Sequence, residues 1–237
     1  MNFILTDSYE QMSETAAEFL TEELNRKPSA VFALPTGSTP IGTYRALARL
    51  NKEGKVDFSQ GNFFNVDEYV GLSRESEQGY YHFLYENLYR HVNVDLEKTH
   101  APDGMAENPE QAAEQYEQMI DGLGGLDAAF LGIGRNGHIG FNEPADSLHY
   151  ATYCVTLTQS TIEANARFFR NEGEVPKQAL TIGMGTILKA KKIILVANGD
   201  DKEEAIHRLW EDTSLRTDFP VSFLRLHPDV TIITTIK

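Results

Sequence analysis

The chain contains a single cysteine, Cys154, among its 237 residues. It therefore cannot form a disulfide within itself, which is typical of proteins from a reducing compartment, and we expect a cytoplasmic protein. Cys154 lies in the apolar stretch 151–157. Because free cysteine is among the most buried residue types, this position predicts a small core residue rather than a nucleophile.

Long apolar runs are absent as well. A helix that crosses a bilayer takes roughly 20 consecutive apolar residues, and no stretch of this chain approaches that length. Residues 1–7 have no basic segment followed by an apolar one, so we expect no signal peptide. The sequence has no internal repeat, low-complexity tract or flexible linker, which predicts a single domain over residues 1–237.

Positive charge is scarce. Lys and Arg number 21 against 35 Asp and Glu, which gives a net charge of −14, and the longest basic run is 189–192. Proteins that bind nucleic acid usually present a basic face, so this composition argues against nucleic acid and anionic membranes as partners. An anionic small substrate would need a local positive site on this negative molecule.

Apolar, strand-like runs alternate along the chain with amphipathic, helix-like runs. Strands are predicted at 3–5, 30–34, 63–66, 128–133, 152–157, 192–197 and 230–236. Helices are predicted to begin at a capping box of Asp7 and Glu10 and at Thr39-Pro40 with Pro as first residue, and to cover 79–92, 109–123, 160–169 and 201–210. Strands separated by helices imply an α/β fold: a doubly wound, mostly parallel sheet with helices on both faces, a Rossmann-like three-layer arrangement.

A hydroxyl-rich loop lies between the second predicted strand and its helix. It contains Thr36, Gly37, Ser38 and Thr39. The N–H groups and partial positive charge of a helix N-terminus suit a phosphate, and the hydroxyls add donors. The loop lacks the Gly-Lys-Ser/Thr ending of a Walker A motif. An ordinary helix cap, with Ser38 or Thr39 bonded to the first turn, is the alternative.

Two adjacent carboxylates, Asp67 and Glu68, follow the third predicted strand. Successive side chains of an extended segment point to opposite faces, so we do not expect the two to act as a pair. One of them facing a cleft, partly removed from water, is suited to general base catalysis. A polar strand end with no catalytic role is the alternative.

The most informative segment is 131–144, with glycines at 132, 134, 137 and 140 around His138 and Glu143. Residues 132–137 match G-x-G-x-x-G, but Gly140 and Pro144 oppose the helix that a dinucleotide site needs, and no acidic residue follows about 20 positions later. A histidine beside a carboxylate at a strand end favours a proton-transfer site over a simple surface pair.

Two basic residues further along, Arg167 and Lys202, are candidate partners for an anion, although a single basic residue is more often solvated. Metal binding is weakly supported, because the seven histidines are scattered and none has the spacing of a helical ligand pair. We therefore expect neither a metal nor a cofactor.

Taken together, these residues resemble the glucosamine-6-phosphate deaminase (glucosamine-6-phosphate isomerase) family over nearly the whole chain. The matching motifs are LPTGSTP (34–40), FNVDEYVG (64–71), YY (80–81), GRNGHIGFNEP (134–144), ANARFF (164–169), VPKQALT (175–181) and LHP (226–228). Several motifs in one order are far more specific than any one alone.

The resemblance implies that glucosamine 6-phosphate and water become fructose 6-phosphate and ammonia. It implies that His138, supported by Glu143 and Asn136, assists opening of the sugar ring, and that Asp67 removes the proton from C2. It further implies that the phosphate lies on the loop with Ser38 and Thr39, held by Arg167 and Lys202.

The chain departs from the family pattern at two places. Asn136 stands where some members have Asp, so a charged triad is not available. Long members are hexamers regulated by N-acetylglucosamine 6-phosphate and carry basic residues after the site segment, whereas 149–155 contains no Lys or Arg. We therefore expect a short, unregulated form, a monomer or a small homo-oligomer.

Two other functions deserve comparison. A 6-phosphogluconolactonase resembles this chain in fold and in a Gly-His segment, but that family has Asp-Glu-Arg where this chain has 67–69 and a different run after the histidine. A sugar-phosphate sensor of a transcriptional regulator needs a DNA-binding module, for which no residues remain. Asp67, His138 and Glu143 together favour catalysis.

Overall fold

The computed structural model describes residues 1–166, 169 and 174–237. The strands in this part of the chain are β1 Asn2–Leu5, β2 Val31–Leu34, β3 Asn62–Asn65, β4 Asp67–Tyr69, β5 Thr99–His100, β6 Ala128–Leu131, β7 Tyr153–Thr156, β8 Gln178–Thr181, β9 Lys192–Ala197 and β10 Val230–Thr234. Seven of them form one parallel sheet in the order β1-β10-β9-β6-β2-β3-β5. The predicted doubly wound, parallel α/β sheet is confirmed.

Helices cover both faces of this sheet. They are α1 Tyr9–Arg26, α2 Ile41–Lys52, α3 Tyr80–Asn87, α4 Pro109–Gly122, α5 Gln159–Asn165, α6 Met184–Leu188 and α7 Glu203–Glu211, with 3₁₀ turns at Tyr89–His91, Leu96–Lys98, Asp200–Lys202 and Pro220–Leu226. Helices α1, α2 and α3 pack with Phe32 on one face. Helices α4, α6 and α7 pack with Ala33 on the other. Neighbouring residues of β2 thus serve opposite layers, as strand alternation requires.

A second, three-stranded antiparallel sheet has the order β4-β8-β7. The predicted strand 152–157 therefore belongs to this sheet and not to the parallel one. The chain passes from one sheet to the other at Val66, whose N–H donates to Leu34 O (3.1 Å) and whose carbonyl accepts from Ile182 N (2.9 Å). Asp67 comes directly after this crossing, and its backbone pairs with Thr181 of β8.

Some predicted element ends are wrong. The cap of α1 is Ser8, whose hydroxyl accepts a hydrogen bond from Gln11 N, while Gln11 Oε1 accepts one from Asp7 N. The predicted pair of Asp7 and Glu10 is therefore wrong by one residue. The reason is that Ser8 is the last residue with extended backbone before the helix. Pro40 is the cap of α2 and not its first residue. Predicted helix 79–92 is α3 plus a 3₁₀ turn, and predicted helix 201–210 begins at Glu203.

Cys154 is only partly buried, beside Ala112 and Leu180. The prediction of a core residue holds in part, because β7 lies in the smaller sheet, which α4 covers incompletely. In the described part of the chain, no helix combines the length and the apolar character needed to cross a membrane.

Candidate functional site

The predicted functional segments all follow parallel strands of the large sheet. The loop 35–40 follows β2, Asp67 follows β3, residues 132–143 follow β6, and Lys202 follows β9. Parallel strands end at the same edge of a sheet. In the sheet, β3 lies on one side of β2, and β6 lies on the other side, next to β9. The chain connections therefore run in opposite directions from the boundary between β2 and β6. A crevice at such a reversal is the usual ligand site of open α/β sheets.

His138 and Glu143 lie together in the glycine-rich segment. His138 Nδ1 is 3.2 Å from Glu143 Oε1. Asn136 holds both residues, since its amide Nδ2 donates to Glu143 Oε2 (2.7 Å) and its Oδ1 accepts from His138 N (3.2 Å). The three predicted residues thus form one hydrogen-bonded group, with the histidine ring at its tip.

Thr161 on α5 adds a donor that sequence reasoning missed, with Oγ1 3.3 Å from Glu143 Oε1. Burial raises the pKa of Glu143, but His138, Asn136 and Thr161 together lower it below its usual value. Glu143 is therefore a carboxylate at neutral pH, and it can stabilise the charged form of His138 during proton transfer.

Two glycines allow this segment its close contacts. A Cβ on Gly134 would lie 2.2 Å from the His138 ring. Gly140 has φ +57°, and a Cβ there would lie 2.8 Å from Val66 and 3.5 Å from Asp67 Oδ2. Gly140 therefore brings the loop of His138 against the strand end of Asp67, although the two are distant in sequence.

The turn after His138 is fixed to the smaller sheet. The buried Asn142 amide donates to Ile139 O (2.9 Å) and Ile182 O (2.8 Å), and Phe141 N donates to Thr181 Oγ1 (3.1 Å). No helix follows Gly137 in the described residues 138–158. The rejection of a dinucleotide fingerprint agrees with this geometry.

Asp67 is a buried carboxylate without a cationic partner among the described residues. Asp67 is 7% exposed, and its Oδ1 has no hydrogen-bond partner among the described residues. Burial, and secondly the negative charge of Glu68, raise the pKa of Asp67 to about 8. A base with this pKa is matched to chemistry near neutral pH.

Glu68 has a different environment. Its carboxylate accepts N–H groups from Tyr69 (2.9 Å), Tyr80 (2.9 Å) and Tyr81 (2.8 Å). Tyr80 and Tyr81 are the first two residues of α3, and the residue before them, Gly79, has no side chain that could cap the helix. Glu68 thus caps α3 from another element, and burial raises its pKa although these N–H groups lower it. The two carboxylates thus have different surroundings, as alternation predicts, although the charge of Glu68 contributes to the raised pKa of Asp67.

The loop 35–40 is open to a ligand. Gly37 has φ +97° with no atom within 4 Å of an added Cβ. The Tyr9 hydroxyl fixes the backbone of the loop, donating to Thr39 O (3.1 Å) and accepting from Gly42 N (2.7 Å). No side chain caps α2, so the alternative role of Ser38 or Thr39 as its cap is wrong.

Lys202 ends the 3₁₀ turn after β9, and Arg167 lies outside the described residues. Lys202 Nζ is 3.2 Å from Asp201 Oδ2, and the same oxygen is 3.1 Å from Arg135 Nε. Spacing along the chain does not indicate this contact of Arg135, because Arg135 and Asp201 are 66 positions apart. The described residues contain no cluster of three or more His, Cys, Asp or Glu able to hold a metal.

Comparisons with known proteins show the family to which this chain belongs. The family described as glucosamine-6-phosphate isomerases/6-phosphogluconolactonase matches residues 6–233. Glucosamine-6-phosphate deaminases of Thermoanaerobacter pseudethanolicus and Clostridium perfringens are 48% and 44% identical over 233 residues, which is 98% of this chain and 92% and 96% of theirs.

Solved structures separate the two activities named in that family. A monomeric glucosamine-6-phosphate deaminase superposes with a TM-score of 0.95 at 41% identity, covering 99% of this chain and 97% of the other. A 6-phosphogluconolactonase of Thermotoga maritima has a TM-score of 0.77 at 19% identity, covering 100% and 99%, and so shares the fold alone.

Proposed function

The chain belongs to the family of glucosamine-6-phosphate isomerases and 6-phosphogluconolactonases, and from this we propose that it is a glucosamine-6-phosphate deaminase. It converts glucosamine 6-phosphate and water into fructose 6-phosphate and ammonia, as a step of amino-sugar breakdown. The observation that carries this proposal is the contact at Gly140, where the loop of His138 and Glu143 meets the buried Asp67. The deaminase reaction needs a base that removes a proton from carbon, and the buried Asp67 is suited to that role. Lactone hydrolysis needs no such base.

Ring opening is assigned to His138. The ring oxygen must gain a proton while the hydroxyl on C1 loses one, and an imidazole can carry this proton because one ring nitrogen accepts a proton while the other donates one. Glu143, fixed by Asn136, stabilises the protonated ring at 3.2 Å. The product of this step is the open-chain aldehyde.

Asp67 then takes the proton from C2. That carbon lies beside the aldehyde, so the electron pair of the C2–H bond forms a double bond to C1, the aldehyde oxygen takes up a proton that the ammonium group releases, and an enolamine results. Asp67 then returns its proton at C1, which gives the protonated ketimine of fructose 6-phosphate. Water adds to C2, and ammonia leaves. The ammonium group of the bound substrate lies next to C2, where its charge favours the ionised form of Asp67.

The phosphate is assigned to the opposite end of the crevice. The loop with Thr36, Gly37, Ser38 and Thr39 offers hydroxyls at the start of α2, and Tyr9 keeps its backbone in place. Lys202, with Arg167 from outside the described residues, supplies the positive charge. We propose one catalytic domain over residues 1–237, working as a monomer in the cytoplasm without a metal or cofactor.

The decisive assay supplies glucosamine 6-phosphate and measures ammonia and fructose 6-phosphate. Asp67→Asn keeps the size of the side chain and removes its basicity, so we expect turnover to fall by about a thousandfold while the substrate still binds. Asp121→Asn, an exposed carboxylate at the end of α4, is the matched control. A near-normal rate for Asp67→Asn would contradict the assignment, and hydrolysis of 6-phosphogluconolactone would favour the lactonase.

A further inference from the structure

Asp201 joins two cations from neighbouring strand ends. Its Oδ2 lies 3.1 Å from Arg135 Nε and 3.2 Å from Lys202 Nζ. Arg135 belongs to the glycine-rich segment after β6, directly before Asn136, whereas Lys202 follows β9. One carboxylate oxygen is therefore shared between the loop of the proton-transfer residues and the residue assigned to the phosphate.

These contacts are exchangeable. The side chain of Arg135 is 76% exposed and that of Asp201 is 44% exposed, whereas Lys202 is only 20% exposed. Ion pairs with exposed members are weak and are screened by salt. Burial raises the pKa of Asp201, but Arg135 and Lys202 together lower it below the usual value, so the carboxylate is ionised at neutral pH. A second anion arriving at Lys202 thus meets a negative charge already in place.

We propose that Asp201 is an internal counter-ion of the phosphate site, paired with Lys202 in the free enzyme and displaced when a phosphate dianion binds. Arg135 is then a further cation for that dianion. The inference rests on the proposed function, which assigns Lys202 to the phosphate. The consequence of this pairing is weaker phosphate binding. Because substrate and product carry the same phosphate, binding of that group contributes equally to the affinity for both. Weaker phosphate binding therefore speeds release of the product.

The test measures inhibition by inorganic phosphate in the full-length enzyme at low ionic strength. In Asp201→Asn we expect the inhibition constant for phosphate to fall by about three- to tenfold, because one repulsive charge next to Lys202 is gone. KM for glucosamine 6-phosphate falls in parallel, and the gain shrinks as salt is added. Arg135→Gln raises the inhibition constant, because it removes a cation and leaves Asp201 paired with Lys202.

Asp200→Asn is the matched control, since it removes the same charge one residue away and Asp200 takes part in no ion pair among the described residues. Equal effects of Asp200→Asn and Asp201→Asn, or an unchanged or higher inhibition constant in Asp201→Asn, would overturn the inference. Lys202→Met separates the two claims. If phosphate inhibits Lys202→Met as strongly as it inhibits the unmodified enzyme, the assignment of Lys202 to the phosphate is wrong. If this inhibition is lost, that assignment holds, and the comparison of Asp201→Asn with Asp200→Asn supports or overturns the counter-ion role of Asp201.

Discussion

Asp67 is the residue whose environment most constrains the chemistry. It is buried, has no cation beside it among the described residues, and has a pKa raised to about 8. Below that pH the free enzyme holds the neutral acid, which cannot accept a proton from carbon. Raising the pH ionises it. The active fraction of free enzyme therefore grows with pH, reaches one half near pH 8 and approaches its maximum above that pH.

The expected result is a kcat/KM that rises about tenfold per pH unit from pH 6, reaches half its maximum near pH 8 and levels off above it. The corresponding limb of kcat lies at lower pH, because the ammonium group of the bound substrate favours the carboxylate. Both limbs come from initial rates of ammonia release across the pH range, with enzyme stability checked at each pH. A kcat/KM limb centred near pH 4 would show that Asp67 is not the base.

At this scale the sequence indicated that His138, Glu143 and Asn136 lie together, because all three belong to one short glycine-rich segment. It missed residues contributed from a distance. Thr161 reaches Glu143 from α5, and Asp201 reaches Arg135 from the next strand end. Such contacts depend on how loops pack across the sheet, which spacing along the chain does not encode.

Among the elements, strand β4 is the one that matters most for the site. Its three residues begin where the backbone leaves the parallel sheet at Val66. The sequence predicted six of the seven parallel strands from their apolar runs and missed the two-residue β5. It could not predict β4, which is too short for a pattern, nor assign 152–157 to the second sheet, because periodicity does not specify a strand's partner.

Glu68 connects β4 to α3, so its loss should affect both elements. In Glu68→Ala three backbone N–H groups lose their acceptor, and we expect the free energy of unfolding to fall by about 2–4 kcal/mol. We also expect kcat to fall, because β4 carries Asp67. Urea denaturation followed by circular dichroism measures the stability. Glu77→Ala, an exposed glutamate before α3, is the control. Equal stability of the two variants would argue against the cap.

For the whole molecule, the site draws its described residues from one chain. Asp67, His138, Glu143 and Lys202 all follow strands of a single sheet. The similar structure with a TM-score of 0.95 is that of a deaminase described as monomeric. In this chain the stretch 149–155 has no Lys or Arg to hold a phosphorylated effector.

We therefore expect sedimentation velocity to show one species with the mass of a single chain at micromolar concentration. Initial rates should follow a hyperbolic dependence on glucosamine 6-phosphate, and N-acetylglucosamine 6-phosphate should not change the shape of that curve. A sigmoidal curve that this compound converts to a hyperbolic one, or a hexamer in the ultracentrifuge, would refute the prediction.

The pairing of β1 with β10 sets an order of events in time. Phe3 is in register with Ile232, and the Thr6 hydroxyl bonds to Thr234 O across 228 positions of sequence. On the ribosome, β1 and the edge it occupies must wait until the last strand has emerged. Strands β2, β3 and β6 have their neighbours much earlier. The centre of the sheet can thus assemble early during synthesis, whereas its β1 edge closes only once β10 has emerged.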